Sequence, residues 1–141
     1  HSQKIVPVKI EDAKSLSAIL LNDDYYGCLK EGIRVSQQLN ILDKEYVILF
    51  KMKAFVDLSE RKERGENVNE KDIKKHKYDV FRLLEIISGG NMVSIPGTII
   101  DDVNYFIARV QKDPPDFKNL NIKLKLEEAI ELLSTVFIPK I

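Results

Sequence analysis

The sequence has 141 residues, 44% hydrophobic and 31% charged, which is typical of one globular domain that buries its own core. Its 22 basic and 22 acidic residues cancel, which argues against a protein whose whole surface binds nucleic acid and gives no signal for DNA. The single cysteine, Cys28, excludes an internal disulfide and a multi-cysteine zinc module, so we expect a reducing, cytoplasmic setting. No apolar run approaches the roughly 18 to 20 residues of a membrane-spanning helix, so no membrane partner is expected.

The first 42 residues are predicted to form short elements. Alternating β-branched residues over 5–10 predict a strand. Helical spacing follows around residues 16–20, and a second short helix is predicted over 25–29, ended by Gly32. Residues 33–35 and 39–42 flank a polar stretch and predict a small hairpin.

From Asp43 the apolar residues follow the period of long helices. One helix is predicted over 43–64, with Asp43 as its N-cap and Gly65 at its end. A second begins at Asn69, where Asp72 completes a capping pair, and ends at Gly89. The inward positions predicted for the two helices are Val47, Phe50, Ala54 and Leu58, and then Ile73, His76, Val80, Leu83 and Ile87.

Two further helices complete the predicted fold. The third starts after Pro96 and Gly97, with Thr98 and Asp101 as a capping pair, and ends before two prolines that follow Asp113. Its predicted inward residues are Ile100, Val103, Ile107 and Val110, and those of the last helix are Leu126, Ile130, Leu133 and Phe137. We therefore predict a predominantly α, α+β fold: a strand and hairpin in residues 1–42, then a four-helix, bundle-like region over 43–141.

The densest group of polar residues lies on the second long helix. Lys75, Asp79 and Arg82 are separated by four and three residues and share one face, and His76 borders that face and the apolar stripe. In a functional interpretation, Lys75 and His76 hold an anionic ligand while Asp79 orients one of them. The alternative is a solvated basic face with stabilising pairs one turn apart.

The first long helix places two lysines inside an apolar segment. Lys51 shares a face with Arg61, and Lys53 lies two residues further along. Either the lysine stems extend along the surface to water, or they reach into a cleft toward an anion. If the two helices pack antiparallel, Lys51 approaches the later half of the second helix and Arg61 its earlier half. Cys28 has no activating partner in the sequence and is expected to be a small buried residue.

Two segments resemble a known family. Residues 50–62 (FKMKAFVDLSERK) and 74–83 (KKHKYDVFRL) are similar to the C-terminal half of AbiEii-type nucleotidyltransferases, and the similarity extends to the loop over 113–116. These are toxins of type IV toxin–antitoxin and abortive-infection systems, in the polymerase-β-like superfamily. The resemblance implies transfer of a nucleotide from a nucleoside triphosphate to an acceptor hydroxyl, with RNA as the expected acceptor and Mg²⁺ held by carboxylates.

The resemblance also assigns roles to individual residues. It implies that a catalytic group is formed by Asp79, Lys75 and His76, although the family often has aspartate where His76 stands. It implies that Lys51 faces the nucleotide, and we expect Lys53, Arg61 and Arg82 to bind the nucleotide with it.

The metal-binding motif of the family, a Gly-Ser turn followed by Asp-x-Asp, is absent from the sequence. We therefore expect a C-terminal portion that is inactive without an N-terminal catalytic domain. Residues 6–10 would then be the last strand of the catalytic sheet, with Glu11 as a remaining metal-binding acid.

Two other functional interpretations remain. The chain is alternatively a helical interaction module, without a catalytic role, that binds an antitoxin protein or a second copy of itself. It is alternatively an RNA-binding protein that uses the basic stretch over 71–77, for which strongly salt-dependent binding would be the signature.

Overall fold

A computed structural model describes residues 18–36, 39–87 and 91–141 of the chain. Within these ranges the fold is predominantly helical with short strands, as the sequence predicts. The elements in chain order are α1 (Asp23–Gly32), β1 (Ile33–Ser36), β2 (Leu39–Leu42), α2 (Lys44–Glu63), α3 (Glu70–Ile86), β3 (Val93–Ile95), α4 (Gly97–Lys112), α5 (Leu126–Val136) and β4 (Phe137–Pro139). The predicted strand over 5–10 and Glu11 lie outside the described residues.

Helix α1 begins two residues before the predicted start. The side chain of Asn22 accepts hydrogen bonds from the backbone N–H groups of Asp24 and Tyr25, which fixes the first turn. The predicted hairpin is confirmed: β1 and β2 are antiparallel, and Ile33 pairs with Leu42. The hairpin delivers the chain directly into α2.

Helix α2 is the central element of the fold. It packs against α3 and α4 along most of its length and against α1 near its first half. Its buried residues therefore extend around most of the helix, well beyond the predicted stripe, and include Ile48, Leu49, Met52, Phe55 and Val56. Because neighbouring helices cover three sides of α2, its partly buried lysines Lys51 and Lys53 lie beside acids of those helices.

Helices α2 and α3 form an antiparallel pair. Gly65 follows α2 with φ of 85°, a left-handed conformation that favours glycine and ends the helix. The side chain of Asn69 caps α3 by accepting from the N–H of Lys71 at 2.9 Å. The end of α2 pairs with the start of α3 through Lys62 and Glu70, as an antiparallel arrangement requires.

Helix α4 differs from the prediction at its start and in its phase. Pro96 is its N-cap and Thr98 lies inside the first turn, where its hydroxyl donates to Asp24 instead of capping the helix. The buried stripe is Ile99, Val103, Phe106 and Val110, whereas Ile100 and Ile107 are only partly buried. The phase is set by Phe106, whose ring packs against Phe55 at 5.2 Å and Phe81 at 5.9 Å between centroids.

The end of the described chain also corrects the prediction. Phe137 was expected in the last helix, but α5 ends at Val136, and Phe137 begins β4. Strand β4 pairs in parallel with β3, with Phe137 opposite Val93, and the N–H of Lys140 donates to the carbonyl of Ile95 at 2.8 Å. The fully buried residues of α5 are Ala129, Leu133 and Val136.

Candidate functional site

The two segments that carry the family resemblance meet across α2 and α3. Lys51 Nζ lies 3.0 Å from Asp79 Oδ2, and Arg82 Nη1 lies 3.6 Å from Asp79 Oδ1. The Lys51 and Asp79 side chains are mostly buried, at 13% and 24% exposed, whereas Arg82 is 51% exposed. We call these three residues the α2–α3 charged cluster. The prediction that Lys51 approaches the later half of the second helix is confirmed.

Lys53 lies on a different side of α2. Two residues along an α-helix correspond to a rotation of about 200°, so Lys51 and Lys53 cannot serve one site. Lys53 Nζ instead lies 3.2 Å from Asp57 and 3.3 Å from Asp102 of α4, and 5.4 Å from the centre of the Tyr25 ring. Burial opposes its charge, but the two carboxylates outweigh burial and raise the pKa of Lys53.

The Lys53 environment also contains a buried tyrosine. The hydroxyl of Tyr25 donates to Asp102 Oδ2 at 2.6 Å. Burial and this hydrogen bond to a carboxylate raise the pKa of Tyr25, because an ionised phenolate would be desolvated and repelled by Asp102. The hydroxyl of Tyr25 and the ammonium group of Lys53 therefore find their partners in the carboxylates of Asp57 and Asp102. These contacts join α1, α2 and α4 and stabilise the fold.

The other predicted site residues are dispersed. Arg61 pairs with Glu66 at 3.0 Å, just beyond the end of α2, and both side chains are well exposed. His76 is buried on the core side of α3, 5% exposed. Lys75 is half-buried one turn before Asp79. Of the predicted residues, the ion pairs therefore join Lys51, Asp79 and Arg82 in one cluster, while Lys53 and Arg61 have other partners.

A cleft of about 560 Å³, which sequence reasoning did not find, opens on another side of the molecule. It lies between the second half of α2, the first half of α3 and the end of α4. The basic residues that line it are Lys62, Lys74, Lys77, Arg109 and Lys112. The i, i+3 spacings of Lys74 with Lys77 and of Arg109 with Lys112 were visible in the sequence, but only the packing of α4 brings the two pairs together.

The described residues offer no obvious magnesium site. Among them, no three His, Cys, Asp or Glu side chains converge in a way that could hold a metal ion. Carboxylate oxygens are the ligands that Mg²⁺ prefers, and the carboxylates of Asp57, Asp79 and Asp102 are each occupied by basic side chains.

Two further findings bear on the class of protein. In the described part of the chain, none of the helices combines the length and the apolar character needed to cross a lipid bilayer. Comparison with protein-family models, curated proteins and solved structures finds no match to this chain.

Proposed function

We propose that the chain is the helical portion of an AbiEii-like nucleotidyltransferase and that its α2–α3 charged cluster binds the phosphates of a nucleoside triphosphate. The observation that carries this proposal is the 3.0 Å contact between Lys51 and Asp79. It joins the two segments, distant in sequence, on which the resemblance to that family rests. The proposal includes a cytoplasmic setting, a separate catalytic domain that holds Mg²⁺, an RNA acceptor and an antitoxin partner.

The cluster assigns different roles to its three residues. Arg82 is half exposed, and its planar guanidinium can donate two parallel hydrogen bonds to a phosphate. Asp79 contacts both basic groups and so fixes their positions. Lys51 is mostly buried and adds positive charge behind Arg82 rather than a fully accessible contact. Arg82 is therefore the main phosphate ligand, and Lys51 and Asp79 are positioning residues.

The proposal is tested by calorimetric titration of the chain with ATP and Mg²⁺. Loss of a charge-assisted hydrogen bond of roughly 1.5 kcal/mol corresponds to about tenfold weaker binding, so Arg82→Gln should weaken binding by about tenfold. Arg64→Gln is the matched control, since Arg64 is similarly exposed and is also paired with an acid, Glu66. Equal affinities of the two variants would contradict the proposal.

The chain alone should not transfer nucleotides. The cluster binds and neutralises charge, and it has no described group of carboxylates to hold a metal. We expect no incorporation of labelled nucleotide into RNA when the chain is incubated with Mg²⁺ and the four triphosphates. Robust turnover would show that the chain contains its own catalytic centre.

A second candidate function is an interaction module without a catalytic role. It is favoured by the pairing of both Lys51 and Lys53 with acids of neighbouring helices, because such pairs hold helices together without any ligand. In that case ATP would not bind. The charge-removing variants Lys51→Met and Lys53→Met would then lower only the free energy of unfolding, and sedimentation equilibrium would show binding to a partner or a second copy.

A further inference from the structure

We propose that the cleft between α2, α3 and α4 is a second binding site, which accepts the phosphate group of a small phosphorylated molecule. It is separate from the α2–α3 charged cluster, and it does not depend on the function proposed above. Its lining includes Lys74 and Lys77 of the basic stretch over 71–77, but none of the residues that the sequence assigned to the nucleotidyltransferase site.

The size of the cleft suits a small ligand. Its volume of about 560 Å³ falls within the range of about 300 to 1,000 Å³ that is usual for small-molecule sites. Phe55 and Ile73 contribute apolar surface, and charged side chains surround them. Such a lining suits a molecule with an apolar or aromatic body and one strongly polar group.

The charge of the cleft is positive although the whole chain is neutral. Five basic side chains line it against three acidic ones, Glu63, Glu70 and Asp113, which gives a net charge of +2. Lys62 pairs with Glu70 and Arg109 pairs with Glu63, which leaves Lys74, Lys77 and Lys112 against the single acid Asp113. A phosphomonoester carries a charge close to −2 at neutral pH and would balance this excess.

Lys77 is the most informative lysine of the cleft. Its side chain is 8% exposed, yet its ammonium group is 3.7 Å from Asp113 Oδ2 and 3.5 Å from the Asp113 carbonyl oxygen. Both contacts are long for a charge-assisted hydrogen bond, and the Asp113 side chain is 87% exposed and therefore screened by water. A third neighbour of the ammonium group is the Tyr78 ring, whose centre is 5.7 Å away and which offers an aromatic face rather than an oxygen acceptor. A mostly buried lysine with such weak partners is costly, and a phosphate oxygen in the cleft would supply a stronger acceptor.

Ser59 provides a second, independent observation. It lines the same cleft and is 2% exposed, and its hydroxyl has no hydrogen-bond partner among the described residues. Buried hydroxyl groups are nearly always hydrogen-bonded, so an unsatisfied one beside a charged cleft indicates a position that a ligand completes. Lys77 and Ser59 together mark the inner part of the site.

The lining favours a small molecule over RNA. A phosphate backbone that passes over the cleft would meet the pairs Lys62–Glu70 and Arg109–Glu63, which carry no net charge. The Lys77 side chain is 8% exposed, so it is reached only by a group that enters the cleft. The ligand class is therefore a compact phosphomonoester, with inorganic phosphate as the smallest molecule of the same chemistry.

The experiment is calorimetric titration of the full chain with AMP and with inorganic phosphate, at low ionic strength and without Mg²⁺. Adenosine, which lacks the phosphate, is titrated as the control. Binding of AMP or of inorganic phosphate, without binding of adenosine, supports the site. Tighter binding of AMP identifies an organic phosphate as the ligand, and equal binding identifies free phosphate. Lys77→Met keeps the apolar stem and removes the charge, so it should weaken binding by about tenfold or more.

Three further variants make the result specific. Lys112→Met removes a cleft lysine from the exposed end of α4 and should weaken binding even if Lys77→Met does not fold. Lys118→Met, an exposed lysine outside the cleft, is its matched control and should bind normally. Ser59→Ala should weaken binding without lowering the melting temperature of the free chain, because it removes an unsatisfied hydroxyl.

The proposal is overturned if neither AMP nor phosphate binds, or if Lys77→Met and Lys112→Met bind as the unmodified chain does. It is also overturned if the lysine variants weaken binding of single-stranded RNA while AMP does not bind at all. Arg82→Gln separates the two sites: it should weaken binding of ATP with Mg²⁺ but leave binding of AMP to the cleft unchanged.

Discussion

The hydroxyl of Tyr25 donates a 2.6 Å hydrogen bond to Asp102 across 77 residues of sequence and joins α1 to α4. The same carboxylate lies 3.3 Å from Lys53 of α2, whose ammonium group lies 5.4 Å from the centre of the Tyr25 ring. Three helices therefore meet at one partly buried polar network. Because each group is the hydrogen-bond or ion-pair partner of another, removal of one member leaves a partly buried polar group without one of its partners.

Tyr25→Phe should lower the free energy of unfolding by about 1 to 2 kcal/mol. The ring and its packing against Phe50 remain, so the loss reports the hydrogen bond to Asp102. Tyr26→Phe is the matched control, since Tyr26 is 49% exposed on the same helix and should change stability by less than about 0.5 kcal/mol. Urea unfolding followed by circular dichroism measures both variants, and equal losses would show that the Tyr25 hydroxyl adds no specific stability.

The same hydrogen bond predicts how stability depends on alkaline pH. Burial and Asp102 raise the pKa of Tyr25, whereas an unfolded tyrosine titrates near pH 10. Above about pH 10 the unfolded chain loses this proton and the folded chain keeps it, so stability falls as pH rises. The raised pKa values of Lys53 and Cys28 act in the same direction.

Tyr25→Phe isolates the contribution of the tyrosine, because Lys53 and Cys28 remain in the variant. Between pH 10 and 11 the unmodified chain should lose up to about 1.4 kcal/mol more stability than the variant does. Urea midpoints at pH 7, 9, 10 and 11 provide the measurement. Parallel curves for the two proteins would mean that Tyr25 ionises equally in the folded and unfolded states.

Much of the helical fold could be predicted because it is encoded locally. The hairpin over 33–42 and the bounds of α2 follow from short-range periodicity and from turn residues such as Gly65. The parallel pairing of β3 with β4 could not be predicted, since each strand has three residues and more than 40 residues separate them. The phase of α4 was ambiguous because its sequence offers two apolar stripes, and Phe106 selects one through partners on α2 and α3.

In the candidate sites too, contacts set by local helix geometry were predictable, and those set by the packing of distant helices were not. The contact between Lys51 and Asp79 was predictable, since an antiparallel pair of helices and a register set by Gly65 bring them together. Lys53 was grouped with Lys51 by its position in the sequence, but helix geometry turns it toward Asp102 instead. The cleft depends on where α4 lies beside α2 and α3. The sequence shows Lys77 only as one lysine of the basic stretch over 71–77, and it does not distinguish Ser59.

Two glycines of α1 should respond in opposite directions to the same substitution. A Cβ atom at Gly32 would lie 2.4 to 2.9 Å from ring atoms of Tyr46, whereas a Cβ atom at Gly27 meets nothing within 4 Å. Neither residue has a left-handed backbone, so strain of that kind does not enter. Gly32→Ala should destabilise the chain by about 1 to 3 kcal/mol through overpacking. Gly27→Ala should stabilise it by about 0.5 to 1 kcal/mol, because alanine loses less entropy in a helix.

Thermal unfolding of the two variants side by side tests this pair. Each substitution adds one methyl group to the same helix, so the difference reports the space around each site. No loss of stability for Gly32→Ala would show that Tyr46 does not occupy the position described, and a loss for Gly27→Ala would show that the space beside Gly27 is filled.

Cys28 should react very slowly with alkylating reagents while the chain is folded. Its side chain is buried on α1 at 3% exposed, as the sequence predicts, and burial followed by the charge of Glu31 raises the pKa of the thiol from 9.0 to about 11. A rise of that size lowers the thiolate fraction at neutral pH by about a hundredfold, and burial further restricts access.

Iodoacetamide should therefore label the chain at pH 7.5 at least about a hundredfold faster in 8 M urea than in buffer. The folded rate should also increase with pH beyond pH 9, since the thiolate population still grows there. Fast labelling of the folded chain at pH 7.5 would mean instead that α1 opens readily from α2, and the Tyr25 network would then be too weak to hold it.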